Sequence, residues 1–140
     1  MDRVDNSKKI IYIPQENTPF CKSNPDYWGY VNWPYEKVTE FGICTYRIIK
    51  GSDYKNISFN LNSVVRHEAM HSAQFCRFPG LIALKPVGID LKYLMPYKKF
   101  VPDKGIYKDI PYEQKIGELE AYYGEDNPYM VLSKLNQLCY

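Results

Sequence analysis

Both histidines of this 140-residue chain fall within five residues, in the segment His67-Glu68-Ala69-Met70-His71. Residues four apart on an α-helix lie one turn apart on the same face, so a helix here would direct both imidazoles at one ion. Glu68 projects near that face and could reach a water molecule beside the ion without binding the ion itself. The segment therefore predicts a metal site built on a helix.

The surrounding residues favour a helix from Asn62 or Ser63 to Cys76, ending before a Pro-Gly pair. Small side chains lie on the side away from the histidines and would let this helix pack closely against the sheet, namely Val65, Ala69, Ser72, Ala73 and Cys76. Two other interpretations stay open: an exposed helix with a chance spacing of histidines, or a structural metal site without catalysis. Structural zinc sites commonly use cysteine, and Cys76 lies off the histidine face by helical geometry.

The rest of the chain predicts strands first and helices later, which is typical of an α+β fold. Lys8–Pro14 is expected to be a short strand and residues 15–35 an irregular segment. Residues 42–50 and 55–61 are expected to form a β-hairpin or two adjacent strands. After the histidine helix, residues 80–111 are expected to form loops with a short helix near Asp90–Met95. Two C-terminal helices follow, one from Tyr112 to about Glu125 and one that begins near Pro128.

Length, composition and charge limit the number of domains, the partners and the compartment that can be expected for this chain. Its length and its 45% hydrophobic content fit one domain over residues 1–140. A net charge of +2 argues against a nucleic-acid partner, and no apolar run is long enough to span a membrane. The polar N-terminus lacks the apolar core of a signal peptide, so we expect a cytoplasmic protein. The even number of cysteines, four, permits two disulfide bonds, but in that setting free thiols in a reducing compartment are the expected state.

The His-Glu-x-x-His segment resembles the mark of the zincin metallopeptidases. The metzincin branch would require glycine at position 74 and histidine at position 77, where this chain has Gln74 and Arg77. With no further histidine, the resemblance implies an acidic third ligand, as in gluzincins (Glu) or aspzincins (Asp). Small bacterial and phage-encoded zincin-like proteins are also similar in outline, and Gln74 fits their His-Glu-x-x-His-x-x-Gln pattern.

The segment Gly117-Glu118-Leu119-Glu120-Ala121 is similar to the glutamate helix of gluzincins. In that pattern the ligand glutamate is followed three residues later by a small residue, which points to Glu118 with Ala121. Glu120 lies about 200° round the helix from Glu118, so only one of the two can face the metal. Three aspartates stay open as aspzincin-like ligands, namely Asp90, Asp103 and Asp109.

The resemblance implies a minimal zincin-like domain that hydrolyses peptide bonds in a peptide or protein substrate. One Zn²⁺ per chain would be held by His67, His71 and Glu118, and Glu68 would be the general base. Residues 55–61 would supply an edge strand for the substrate. A tyrosine would stabilise the oxyanion, and the candidates near the glutamate helix are Tyr112, Tyr122, Tyr123 and Tyr129.

Two functions of other classes remain as alternatives. The first is a zincin-fold metal-binding or regulatory protein without peptidase activity. The second is an interaction protein that binds no metal and uses the aromatic residues of its N-terminal third, where Trp28, Tyr30, Trp33 and Tyr35 are concentrated. Core packing is the simpler explanation of such an aromatic cluster.

Overall fold

A single long helix, α3 (Ile57–Arg77), carries the histidine segment and contacts most of the other elements. The structure is a computed structural model that describes residues 9–12, 19–35, 38–78 and 85–139. Within those ranges it contains six α-helices and three strands. They are β1 (Lys9–Tyr12), α1 (Pro19–Ser23), β2 (Gly29–Tyr35), β3 (Val38–Ile43), α2 (Thr45–Gly51), α3, α4 (Leu91–Leu94), α5 (Tyr112–Asp126) and α6 (Pro128–Cys139).

The strands form one small sheet in the order β1-β3-β2. β2 and β3 pair antiparallel as a hairpin, and β1 pairs parallel with β3. Tyr30 lies opposite Gly42 in this hairpin, and its ring occupies the space that a side chain at position 42 would need. β2 lies at an edge of the sheet and contacts α3. The sheet therefore forms a cap over one side of the long helix.

The predicted α+β architecture, in which strands and a hairpin lead directly into the histidine helix, is wrong. The described residues are mostly helical. In the first half of the expected hairpin, residues 42–43 alone belong to a strand, and Thr45–Gly51 is helical. In its second half, residues 55–61 form a turn of 3-10 helix and the start of α3. The strands of the hairpin lie earlier, in a region that includes part of the segment expected to be irregular.

Burial explains why these β-branched stretches are helical. In α2, Ile48 is fully buried against Ile43 and Val64, whereas the adjacent Ile49 is half exposed. At the start of α3, Phe59 is exposed and Leu61 packs beside Val64, so the buried positions follow the helical period rather than alternation. Tertiary contacts override local β propensity in both segments.

The main core lies where α3 crosses α5 and α6. Met70 and Ala73 of α3 and Ala121 of α5 have no exposed surface. Gly124 lets α6 approach closely, because a Cβ there would meet Val131 at 2.9 Å. Ala73, one of the small residues expected to pack against the sheet, lies in this core instead. The predicted helices at 112–125 and after Asn127 are confirmed.

All four cysteines are paired, which corrects the expectation of free thiols. Cys21 bonds to Cys44, and Cys76 bonds to Cys139, so no free cysteine remains. The first bond ties α1 to the end of the sheet. The second joins the ends of α3 and α6. None of the described helices is long and apolar enough to cross a membrane.

Removing the Cys76–Cys139 bond should destabilise the fold by about 4 kcal/mol, because a cross-link that closes a loop of 63 residues restricts the unfolded chain. The test is urea unfolding of a Cys76→Ser, Cys139→Ser variant beside the wild type. Cys21→Ser, Cys44→Ser serves as the comparison, with a smaller expected loss of about 3 kcal/mol for its shorter loop. Alkylation of all four cysteines without a reductant would contradict the pairing.

Candidate metal centre

Three side chains converge on one point between α3 and α5. His67 Nε2 lies 3.5 Å from Glu118 Oε2, and His71 Nε2 lies 3.6 Å from Glu118 Oε1. The ligand atoms of all three residues fall within 4.8 Å of one another. His71 is buried, and the other two side chains are mostly buried. The three residues that the sequence singled out as metal ligands are thus brought together.

The donor set suits zinc. Two imidazole nitrogens and one carboxylate oxygen are the ligand types of catalytic zinc sites that keep a fourth position for water. In a tetrahedral site with bonds of 2.0–2.1 Å, neighbouring ligand atoms lie about 3.3 Å apart. The distances of 3.5 Å and 3.6 Å, which join His67 and His71 to different oxygens of Glu118, are close to that spacing, and one ligand atom from each residue lies within 4.8 Å of the others. The donor types and these spacings therefore fit a zinc ion.

Each histidine is held through its other ring nitrogen. His67 Nδ1 lies 2.9 Å from Glu125 Oε1, and His71 Nδ1 lies 2.9 Å from Gln74 Oε1. Arg66 fixes the end of α5 by donating to the carbonyl of Glu125 at 2.6 Å. Such partners orient metal-binding imidazoles and determine which nitrogen is left for the metal. Neither Glu125 nor the role of Gln74 was predicted from the sequence.

The Glu120 side chain points away from the place where His67, His71 and Glu118 converge, and its role is structural. Its fully buried carboxylate accepts hydrogen bonds from the backbone amides of Val87, Gly88 and Ile89 at 2.7–2.9 Å. Gly88 has a φ of +91°, a conformation that glycine adopts without strain and that lets three consecutive amides converge on one anion. Glu120 therefore fastens residues 87–89 to α5.

The same carboxylate orients the amide of Gln74. Gln74 Nε2 donates to Glu120 Oε2 at 3.0 Å and to the carbonyl of Gly117 at 2.8 Å. Because both neighbours are acceptors, the amide oxygen must point the other way, towards His71. His71 then carries a proton on Nδ1, and its Nε2 faces Glu118. Glu120 thus fixes the orientation of His71 through Gln74.

Strong charge coupling links the three converging residues. Burial disfavours the charged imidazole, yet hydrogen bonds to Glu118 and Glu125 outweigh it and raise the pKa of His67 to about 10. Burial likewise opposes a charge on His71, but attraction to Glu118 raises its pKa. The two imidazoles hold the pKa of Glu118 well below its usual range despite its burial. Without metal, protons on the histidines balance the carboxylate.

Glu68 lies beside this group and is 6% exposed. It packs against β2, where a Cβ on Gly29 would come within 2.8 Å of Glu68 Oε1. Glycine at position 29 therefore leaves room for the carboxylate. Burial raises the pKa of Glu68, and the neighbouring histidines oppose that shift. A carboxylate with a raised pKa next to a metal-binding group is suited to taking up and releasing a proton.

Two tyrosines complete one wall. The Tyr122 ring lies edge-on to His67, with centroids 4.7 Å apart, and its hydroxyl lies 3.0 Å from that of Tyr107. Burial raises the pKa of both phenols, so their hydroxyls stay protonated. Of the other tyrosines proposed near the glutamate helix, Tyr112 and Tyr129 are largely exposed, and Tyr123 packs against Tyr97 instead.

The group opens onto a cleft of about 800 Å³. Glu68, Glu118 and both histidines form part of its lining, together with aromatic side chains from α1, β2 and α3. The predicted substrate strand at 55–61 is helical, so it supplies no strand edge, although Phe59 and Asn60 do line the cleft. The site is therefore accessible to a molecule considerably larger than water.

The other residues that the sequence offered as metal ligands or as a binding surface do not belong to the group of His67, His71 and Glu118. Asp90 accepts a hydrogen bond from the amide of Lys92 at the start of α4, and Asp103 pairs with Lys115. Asp109 is exposed. Cys76 is bonded to Cys139. The side chains of Trp33 and Tyr35 lie outside the described part of the chain, so the aromatic surface proposed there is not described.

Residues 4–140 match the family described as a domain of unknown function (DUF8637). The chain belongs to this family. No similar curated protein and no similar solved structure was found. The function of this DUF8637 protein therefore has to be argued from its own site.

Zinc binding should release at least about one proton per chain at neutral pH. His67 is protonated below its pKa of about 10, and zinc can bind its Nε2 only after that proton leaves. The measurement is calorimetric titration of zinc in buffers with different enthalpies of ionisation. An identical observed heat in all buffers would contradict the charge state of the metal-free site.

Glu118→Ala should weaken zinc binding more than any other change on α5. Glu125→Gln should weaken it by about 10–100-fold, because it removes the partner that orients His67. Glu113→Gln, on the exposed first turn of α5, is the control and should bind zinc normally. Competition with a chromogenic chelator measures all four proteins. If Glu118→Ala bound zinc as tightly as Glu113→Gln, Glu118 would not be the third ligand.

Proposed function

We propose that this protein is a zinc-dependent peptidase in which Glu68 is the general base. The observation that carries the proposal is the convergence of His67, His71 and Glu118 at zinc-like spacing, on the wall of an open cleft, with Glu68 beside them. A helical His-Glu-x-x-His segment with a glutamate from a second helix is also the arrangement implied by the resemblance to gluzincins.

Each residue of the site would have a separate role in the reaction. His67, His71 and Glu118 would hold the ion, and bound zinc supplies a Lewis acid that makes a water molecule acidic near neutral pH. Glu68 would take the proton from the attacking water and pass it to the leaving amine. Glu125 and Gln74 keep the imidazoles in one orientation throughout, since each holds an Nδ1 atom.

Tyr122 and Tyr107 would supply hydroxyls for the developing negative charge on the substrate. They are hydrogen-bonded to each other, they line the cleft, and Tyr122 contacts His67. A protonated phenol near a developing oxyanion stabilises the transition state more than the ground state. Tyr122 was among the tyrosines predicted from the sequence, whereas Tyr107 comes from a separate 3-10 turn.

The disulfide bonds bear on where such an enzyme would act. Two bonds within one small domain are typical of oxidising compartments and rare in the cytosol. They favour an oxidising compartment over the cytoplasm that the sequence led us to expect. The absence of a membrane-spanning helix in the described part of the chain is compatible with either location.

Metal binding without turnover is the second candidate. The intact Glu68 argues against it, because a site that only binds metal has no need of a buried carboxylate beside the ligands. The Gly29 contact that accommodates this carboxylate argues the same way. A Glu68→Gln substitution distinguishes the two functions.

A Glu68→Gln variant should keep its zinc and lose peptidase activity by about 100-fold or more, because glutamine is nearly the same size but cannot accept the proton. The measurement is cleavage of an unfolded protein substrate, followed by mass spectrometry, with zinc content determined on the same samples. Glu113→Gln is the matched control and should cleave normally. Equal activity of Glu68→Gln and wild type would exclude Glu68 as the base, and no cleavage by zinc-loaded wild type would favour the second candidate.

A further inference from the structure

We propose that the cleft selects a peptide segment that carries a lysine or arginine side chain, and that Asp26 recognises this cationic group. The inference rests on the proposed function, whose substrate class it specifies. It comes from the lining of the cleft rather than from the metal-binding residues.

The charge of the lining is one-sided. Four carboxylates face the cleft, those of Asp26, Glu68, Glu118 and Glu125. No lysine or arginine of the described residues lines it, although the chain contains 18 of them. Together these four carboxylates carry more negative charge than the two positive charges of a zinc ion. The lining of the cleft therefore stays negative when zinc is bound. Such a field attracts cationic substrates and repels acidic ones.

Asp26 is the carboxylate left for substrate. Glu118 belongs to the metal group, Glu125 is bonded to His67, and Glu68 is the proposed base. Asp26 is exposed and makes no ion pair within the described part of the chain. Asp26 lines the same cleft as the metal group, so a peptide bound across that cleft would contact both.

Aromatic rings beside Asp26 suit the same ligand. Phe20, Tyr27 and Trp28 line this part of the cleft, and Tyr27 and Trp28 are each more than a third exposed. A guanidinium or ammonium group gains both from a carboxylate and from the face of an aromatic ring. The apolar stem of lysine or arginine packs on such rings as well. Rings and carboxylate together favour a long cationic side chain over a short or acidic one.

This wall of the cleft is held in place. Arg47 of α2 donates to the carbonyls of Cys21, Asn24 and Tyr27, and Cys21 is bonded to Cys44. The loop that presents Asp26 is thus tied to α2 at both of its sides. A binding group on a tethered loop loses little conformational freedom when the ligand arrives.

The test measures binding, not cleavage, with the zinc-loaded Glu68→Gln protein and with metal-free wild type. An uncharged apolar host peptide carries arginine, norleucine or glutamate at each position in turn, and fluorescence anisotropy gives the affinities. We expect the best arginine peptide to bind about fivefold tighter than its norleucine counterpart, and the glutamate peptide to bind more weakly. Asp26→Asn should abolish most of the arginine preference. Asp53→Asn, exposed and outside the cleft, should preserve it.

The outcomes separate this inference from the proposed function. Equal binding of the three peptides, or a preference for glutamate, would overturn the inference even if the enzyme cleaves peptides. An arginine preference that survives Asp26→Asn would overturn the role of Asp26. A preference that Asp26→Asn removes would support the inference, even if wild type proved unable to hydrolyse any peptide. A preference that weakens with added salt would support its electrostatic origin.

Discussion

The buried carboxylate of Glu120 is the interaction on which the site depends. A charge without solvent contact is tolerated only when hydrogen bonds satisfy it, and here four N–H donors do so. One donor belongs to Gln74 of α3, and Glu120 itself belongs to α5. The bond between them fixes the register of the two helices. Because Glu118 lies two residues from Glu120, the same bond fixes Glu118 relative to the histidines.

The sequence was informative about the site where spacing along one helix decides geometry. Two histidines four residues apart must share a face, and Glu118 and Glu120 cannot, so the local pattern already restricted the ligands. The partners of the ligands were predicted less well. Glu125 lies seven residues after Glu118 on α5, so helical spacing places it on the same face, a signal that the prediction did not use. Tyr107 reaches the site from a separate 3-10 turn, and no local pattern encodes that contact.

The fold was predicted less well than the site, because the apolar residues in and just after residues 42–61 fit both the alternation of a strand and the spacing of a helix. Ile57, Phe59 and Leu61 alternate as a strand would, yet Leu61, Val64 and Val65 continue a helical stripe. The structure follows the second pattern, since it buries Val64 against Ile48 and leaves Phe59 in the cleft. Which face is buried depends on the sheet above it, and that information is absent from the segment itself.

Burying several charged side chains costs free energy, and a domain of this size has little apolar burial to offset that cost. Here Glu118 and Glu120 lie between α3 and α5, and Glu68 is buried against β2. Their cost is offset by bonds that do not depend on core volume. The Cys76–Cys139 bond joins α3 to α6 just beyond His71, and the Cys21–Cys44 bond secures the opposite wall of the cleft. The disulfides thus allow a small fold to keep an open cleft beside a charged site.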